Sequence, residues 1–307
     1  MELTCPIAIA GLSVGHATDL EGATGVTVLR FDRGAVAAVD VRGAAPGTRE
    51  TELLRPENLI QEVHAIVLAG GSVWGLDAMS GVAGVLEQAG IGFDTGIVRV
   101  PIVTGAVLFD LAVGPAGARP DMRMGAHAAQ AASKHDFALG KVGAGTGATV
   151  GKLYGADFAL PGGLGACALT LESGHHVLAI VAVNAYGEVF DRQGRCLSGS
   201  SAPAEQRAAA NYQQAGAFPG MNTTIGAVVT DAALTKSQGL KVAQMAHDGL
   251  ARAIRPAHTL YDGDTLFVAS TCARDPVDIN RLGMLAADAV EQAIHCAVSP
   301  AAEQTGD

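Results

Sequence analysis

The chain has 307 residues, 49% of them hydrophobic and 16% charged, with a formal net charge of −10. At roughly 100–200 residues per domain it can bury a sizeable core, and its acidity repels phosphate backbones, so nucleic acid is not an expected partner. No uncharged apolar run reaches the ~18 residues of a membrane span, and Met1–Pro6 carries no basic n-region, so neither membrane nor secretion is expected and the cytoplasm is the expected location. Gly numbers 40, which implies tight turns and closely packed elements. The cysteines Cys5, Cys167, Cys196, Cys272 and Cys296 are scattered without a Cys-x-x-Cys, as in a reduced protein that uses most of them as small core residues.

In chain order, short strands are expected at Ile7–Ala10, Gly25–Phe31, Ala35–Val41 and Val63–Ala69, between Gly-rich turns. Ala35–Val41, small and apolar, should be buried on both faces. After Gly70-Gly71-Ser72, apolar residues from Leu76 to Leu86 recur at helical spacing up to Gly90, and Met122–Ala132 predicts a second helix. The glycine cluster from Val142 to Lys152 is no phosphate loop, because Leu153 follows Lys152, and Ala148 stands where a dinucleotide fingerprint needs its third glycine.

Strands at Ala166–Glu172 and His176–Asn184 form a predicted hairpin around Ser173-Gly174-His175. The adjacent His175 and His176 read as part of a solvated turn, with no metal. Residues 192–220 read as an exposed polar linker that ends near Asn222. A strand then starts abruptly at Thr223 and runs to Thr230. A helix over Thr235–Ile254, a turn at Tyr261-Asp262-Gly263-Asp264 and a strand Thr265–Ala269 follow. Asp275 is expected to cap the last helix, with Pro276 at its first position. Strands paired with helices at both ends imply sheets covered by helices.

The junction Asn222-Thr223 carries the chemical signal. If the chain is cut there, Thr223 holds a free α-amine beside its own hydroxyl. An α-amine has a pKa of about 7.7–8.0, so near neutrality part of it can take the hydroxyl proton. The same hydroxyl can make the cut by attacking the Asn222 carbonyl. Taken alone, a pair of β-branched threonines is also how strands commonly begin.

Over nearly the whole chain the pattern resembles the DmpA-like family of self-processing aminopeptidases and amidases, which includes the nylon-oligomer hydrolases. The blocks are Ile9–His16, Leu68–Ala78, Pro101–Val103 followed by Gly105–Leu111, Gly143–Ala148, Val183–Gly187, Asn222–Ile225 with Thr230–Ala232, and His258-Thr259 with Asp262–Thr265. The resemblance implies an α+β fold, a four-layer αββα sandwich of N-terminal-nucleophile type. It implies one catalytic domain over 1–307, cut into an α chain 1–222 and a β chain 223–307. It implies Thr223 as nucleophile, Lys152 close to it, Asn184 as an oxyanion donor, and Asp262 and Asp264 as acceptors for the ammonium groups.

Trp74 is placed by the resemblance beside the substrate pocket, and Phe109 reads as core. Without the resemblance, Lys152 reads as a surface lysine, Asn184 as a turn residue, and the two aspartates as an ordinary Asp-Gly turn. The activity implied is hydrolysis of small peptides or amino-acid amides and oligomers through an acyl-enzyme, with no cofactor. Tetramers or larger homo-oligomers are implied as well. The alternatives are acyl transfer of the ornithine acetyltransferase type, or an uncut homologue that only binds.

Overall fold

The computed structural model describes residues 3–209 and 221–299. Nine strands form one large sheet: β1 Ser13–Asp19, β2 Thr24–Val41, β3 Gly47–Arg49, β4 Glu62–Ala69, β5 Val103–Val107, β6 Gly163–Thr170, β7 His176–Asn184, β8 Thr223–Ala232 and β9 Thr265–Arg274. The helices are α1 Ala78–Gln88, α2 Met122–Gln130, α3 Ala204–Ala209, α4 Lys236–Ala253 and α5 Ile279–Val298. The strand order is β6-β7-β8-β9-β2-β4-β5-β3, with β1 also paired to β2. Two neighbouring pairs are parallel, β8 with β9 across α4 and β4 with β5 across α1. Each needs a crossover long enough for a helix, and each has one.

Period-two alternation sorts the side chains into three apolar interfaces. From β7, Leu178, Ile180 and Ala182 face one way, while Val177, Ala179, Val181 and Val183 face the other. The first set meets Ile225, Phe267, Leu29, Phe31, Ile66 and Leu68 in a core between two halves of the sheet. The second set packs with α4 and α5. On the far side, Val26, Val28, Ala65 and Val67 pack against α1 and α2. The result is helix layer, sheet, sheet, helix layer: the αββα sandwich implied by the resemblance.

Strand β2 joins the two sheet halves. One edge of it pairs with β1 over Thr24–Arg30 and with β9 over Val36–Val41, while β4 runs along the other edge with a register shift between Arg30 and Ala35. The sequence had suggested two separate strands there, because the polar Asp32-Arg33-Gly34 interrupts the apolar pattern. Both pieces belong to one 18-residue strand, and its second piece is only partly buried.

Other expectations are corrected. Ile7–Ala10 is not a strand; the chain pairs earlier, Thr4–Pro6 with Asp136–Ala138. Strand β1 was not among the expected strands; in it stands Gly15, where a Cβ would lie 2.1 Å from the Ala128 carbonyl. Only glycine lets α2 sit this close. Asp275 does not cap α5. Asp278 does, accepting from the N–H groups of Asn280 and Arg281, and β9 runs on to Arg274.

His175 and His176 are not in a solvated turn. His175 is buried, with Nε2 bonded to the Asp275 carbonyl, and His176 Nδ1 lies 2.7 Å from Asp231 Oδ2. Of the cysteines only Cys5 is buried. Part of the 192–220 segment is structured: Cys196–Ser198 pairs with Glu188–Phe190, and α3 follows. Residues 210–220 of that segment lie outside the described residues.

Phe267, fully buried in the inter-sheet core, is expected to cost about 3–5 kcal/mol when cut to alanine. Leu59, 82% exposed, should cost under about 0.5 kcal/mol in the same urea titration.

Candidate active site

The site is built where β7 and β8 end beside the turn that precedes β9. Asn184 pairs with Thr223 across the antiparallel ladder, so their side chains stand together on the face of the inter-sheet core. In the turn before β9, Asp262 and Gly263 lie against Asn222: a bridge pairs Asn222 with Asp262, and the Gly263 N–H donates to the Asn222 carbonyl over 2.9 Å. The Thr223 hydroxyl donates to that same carbonyl oxygen. Thr223, Asn184, Asn222, Asp262 and Asp264 are all at most 3% exposed.

Lys152 sits on a tight turn after Gly151, which is left-handed with φ +75° and packs on Gly199. Its Nζ donates to Thr149 O (3.0 Å), Asn184 O (3.1 Å) and Asn184 Oδ1 (2.8 Å). Three acceptors match the three donors of an ammonium. Burial pushes the Lys152 pKa down to about 7, against a smaller upward pull from the Asp262 charge. The surface-lysine reading is thereby excluded. Asn184 uses its other amide face as a donor, Nδ2 to Phe109 O (2.9 Å) and Met221 O (3.4 Å).

Both aspartates are filled with donors, which is the opposite of a cation site. Asp262 accepts from the Thr259 N–H and hydroxyl and from the Tyr186 N–H. Burial, and then the neighbouring Asp264 charge, push Asp262 up to about 6. Asp264 Oδ1 accepts the Thr224 N–H over 2.8 Å, and its Oδ2 accepts the N–H and Nδ1 of His258. Among the described residues no group of three or more His, Cys, Asp or Glu is placed to hold a metal.

Buried polar atoms without a partner concentrate here. Of seven among the described residues, four are Asn222 Oδ1, Thr224 Oγ1, His258 Nε2 and His247 Nδ1. Such atoms are rare in folded proteins, and a cluster marks a place kept for something other than packing.

The structure thus brings together Thr223, Asn222, Lys152, Asn184, Asp262 and Asp264. Trp74 makes neither a hydrogen bond nor a ring contact with them. Trp74 lies 45% exposed on the turn Ser72–Asp77, under the Arg119 guanidinium at 3.5 Å. Three contributors were missed by sequence reasoning: the Gly263 N–H, the Phe109 carbonyl and His258. The first two are backbone groups, which carry no residue signature. His258 stood in one of the motif blocks, but with no role attached to it.

The layered fold is of the Ntn-hydrolase type. The chain superposes on a Burkholderia sp. β-aminopeptidase with TM-score 0.73 at 21% identity, covering 97% of this chain and 88% of that one. The L-aminopeptidase D-Ala-esterase/amidase of Ochrobactrum anthropi, described as a variant of the Ntn hydrolase fold, gives 0.68 at 16% identity over 94% and 84%. The model of peptidase family S58 matches residues 7–307, and the chain belongs to that family.

An uncharacterized aminopeptidase of Mycobacterium leprae (strain TN) is 43% identical over 292 residues, 86% of this chain and 78% of that protein. The 6-aminohexanoate-oligomer endohydrolase of Kocuria sp. (strain KY2) is 34% identical over 278 residues, 88% and 74% of the two chains.

Gly263 has no room for a side chain. A Cβ there would lie 2.7 Å from Ala45 O and 2.9 Å from Thr223 Oγ1. Gly263→Ala is expected to destabilise by about 1–3 kcal/mol in denaturant unfolding. Gly84→Ala, in α1 with nothing within 4 Å of the added atom, should instead stabilise by about 0.5–1 kcal/mol.

Proposed function

We propose that the chain cuts itself between Asn222 and Thr223, and that the freed Thr223 hydrolyses amide bonds of small peptides and amino-acid amides or oligomers. The observation that carries this reading is the Thr223 hydroxyl held against the Asn222 carbonyl, whose oxygen also takes the Gly263 N–H. The hydroxyl oxygen attacks the carbonyl carbon, and its proton passes to the departing Thr223 nitrogen. The Asn222–Thr223 C–N bond breaks and an ester to Oγ1 replaces it. The Gly263 N–H is aimed at the oxygen where negative charge develops, a contribution of about 10²–10³ in rate for one such donor. Water then hydrolyses the ester, leaving 1–222 and 223–307.

In the processed enzyme the new α-amine takes the hydroxyl proton as Oγ1 attacks a substrate carbonyl. It returns that proton to the leaving amine, and water releases the acyl group by the reverse steps. Asn184 Nδ2, which faces Met221 O before the cut, becomes available to the substrate oxyanion once that segment is released. Asp262 and Asp264 anchor the turn around the new amine, and the Lys152 ammonium adds positive charge beside it. The names of the relatives, aminopeptidase and 6-aminohexanoate-oligomer endohydrolase, support amides of short amino-acid units as the substrate class. Trp74 remains a proposed pocket residue. The reading includes a cytoplasmic enzyme assembled as tetramers or larger, with neither nucleic acid nor membrane as partner. The net charge of −10 supports the former exclusion, and among the described residues no helix is long and apolar enough to cross a membrane.

A denaturing gel of purified protein is expected to show two bands, with N-terminal sequencing of the smaller one starting Thr-Thr-Ile-Gly. Thr223→Ala should give a single full-length band and no amide hydrolysis. A processed wild type that also transfers the acyl group to added amines faster than to water would replace hydrolysis with acyl transfer.

The pH dependence has a definite sign. Asp262 must be ionised to accept its three donors, so self-cleavage falls as pH drops through about 6. Lys152 must be charged, so cleavage falls again as pH rises through about 7. First-order cleavage rates measured from pH 5 to 9 are therefore expected to trace a narrow bell, and the acid limb should vanish in Asp262→Asn.

A further inference from the structure

We propose that His258 is a positioning residue for the Thr223 site: it fixes the Asp264 carboxylate that holds the start of β8, and His247 fixes His258 from behind. This rests on the reading of Thr223 as nucleophile.

Both oxygens of Asp264 are committed. Oδ1 takes the Thr224 N–H at 2.8 Å, next to the nucleophile along the chain. Oδ2 takes two donors from one residue, the His258 N–H at 3.0 Å and ring Nδ1 at 2.9 Å. A carboxylate held by two donors on one oxygen cannot rotate without losing both. The backbone of His258 is left-handed, φ +56°, a conformation that is costly for a non-glycine residue. That cost is sustained where the surroundings over-determine the geometry.

The ring is oriented by chemistry as well as by shape. The Asp264 carboxylate accepts only, so His258 carries its proton on Nδ1. Behind it, His247 is fully buried on α4, and its Nε2 bonds to the Asp40 carbonyl at 2.9 Å. A carbonyl also only accepts, which places the His247 proton on Nε2. Burial above all pushes the His247 pKa down to about 4, so this ring is neutral near pH 7.

The two imidazoles meet edge to face, with centroids 4.9 Å apart and planes at 72°. Arg42, two residues beyond Asp40, ties the end of β2 to α4 through the Gln244 carbonyl at 2.7 Å. A continuous line of contacts therefore runs from Thr224 through Asp264, His258 and His247 to Asp40. It links the nucleophile strand to the outer helix layer and back to β2. The hydrogen bonds of His258 go to Asp264 and not to Thr223 or Asn222, so its action is on placement.

The test compares His258→Gly with His258→Asn. Both accept the left-handed backbone, but only asparagine keeps a donor where Nδ1 stands. Self-cleavage half-times are read on denaturing gels, and kcat and KM are measured on an amino-acid p-nitroanilide after processing, with thermal melts confirming the fold. The glycine variant is expected to cleave and turn over about 10- to 100-fold more slowly, with KM unchanged and asparagine within about threefold of wild type. Wild-type rates in the glycine variant overturn the proposal, and so does an asparagine variant as slow as glycine. A loss confined to KM also overturns it. If Thr223→Ala still cleaves, the reading beneath falls instead and takes this role with it.

Discussion

The site depends on one contact: the turn Asp262-Gly263-Asp264 gripping the first residues of β8. Gly263 donates to the carbonyl of Asn222, and Asp264 accepts from the N–H of Thr224. Together they hold the peptide bonds on both sides of Thr223. The turn in turn is held by the loop after β2, where the N–H groups of Arg42 and Gly43 donate to Asp264 O and that of Ala45 to Asp262 O. A Cβ on Gly43 would lie 2.3 Å from backbone atoms of both aspartates. Here the lack of a side chain is the structural requirement.

Placing charges in such a buried spot is costly unless each is matched. The matching is local and nearly complete. Asp262 has three donors, Asp264 has three, and Lys152 has three acceptors. What remains unmatched is small and specific: the Asn222 and Thr224 side-chain oxygens and two imidazole nitrogens. Burial leaves Asp262 raised to about 6 and Lys152 lowered to about 7. Burial thus moves the two groups from opposite sides toward the same pH range.

Much of this was legible in the sequence. The abrupt start of a strand at Thr223 is real, and so are the helix behind it and the Asp-Gly-Asp turn. The layered fold and the family were legible through motif blocks rather than through periodicity. Less visible were features made by contact between distant segments. Nothing local says that Asp32-Arg33-Gly34 lies within one bent strand, because the bend is set by β1, β9 and β4 pairing along it. Nothing local marks Gly263 as a donor, or Phe109 as the acceptor of Asn184. The cap of α5 was misassigned by three residues, since Asp275 and Asp278 are the same residue type and only the direction of the chain after β9 chooses between them.

Strand β8 is an interior strand, zipped to β7 on one side from Val177–Thr230 to Asn184–Thr223 and to β9 on the other. Breaking the bond before Thr223 would therefore leave every rung of both ladders in place. The piece beginning at Thr223 supplies β8, α4, β9 and α5, the whole of one outer layer and two middle strands beneath it. Residues from both sides of the Asn222–Thr223 bond share the inter-sheet core and the core under α4 and α5. The proposed scission would therefore give the strand a new end that is still held on both sides, and the two polypeptides would persist as one body.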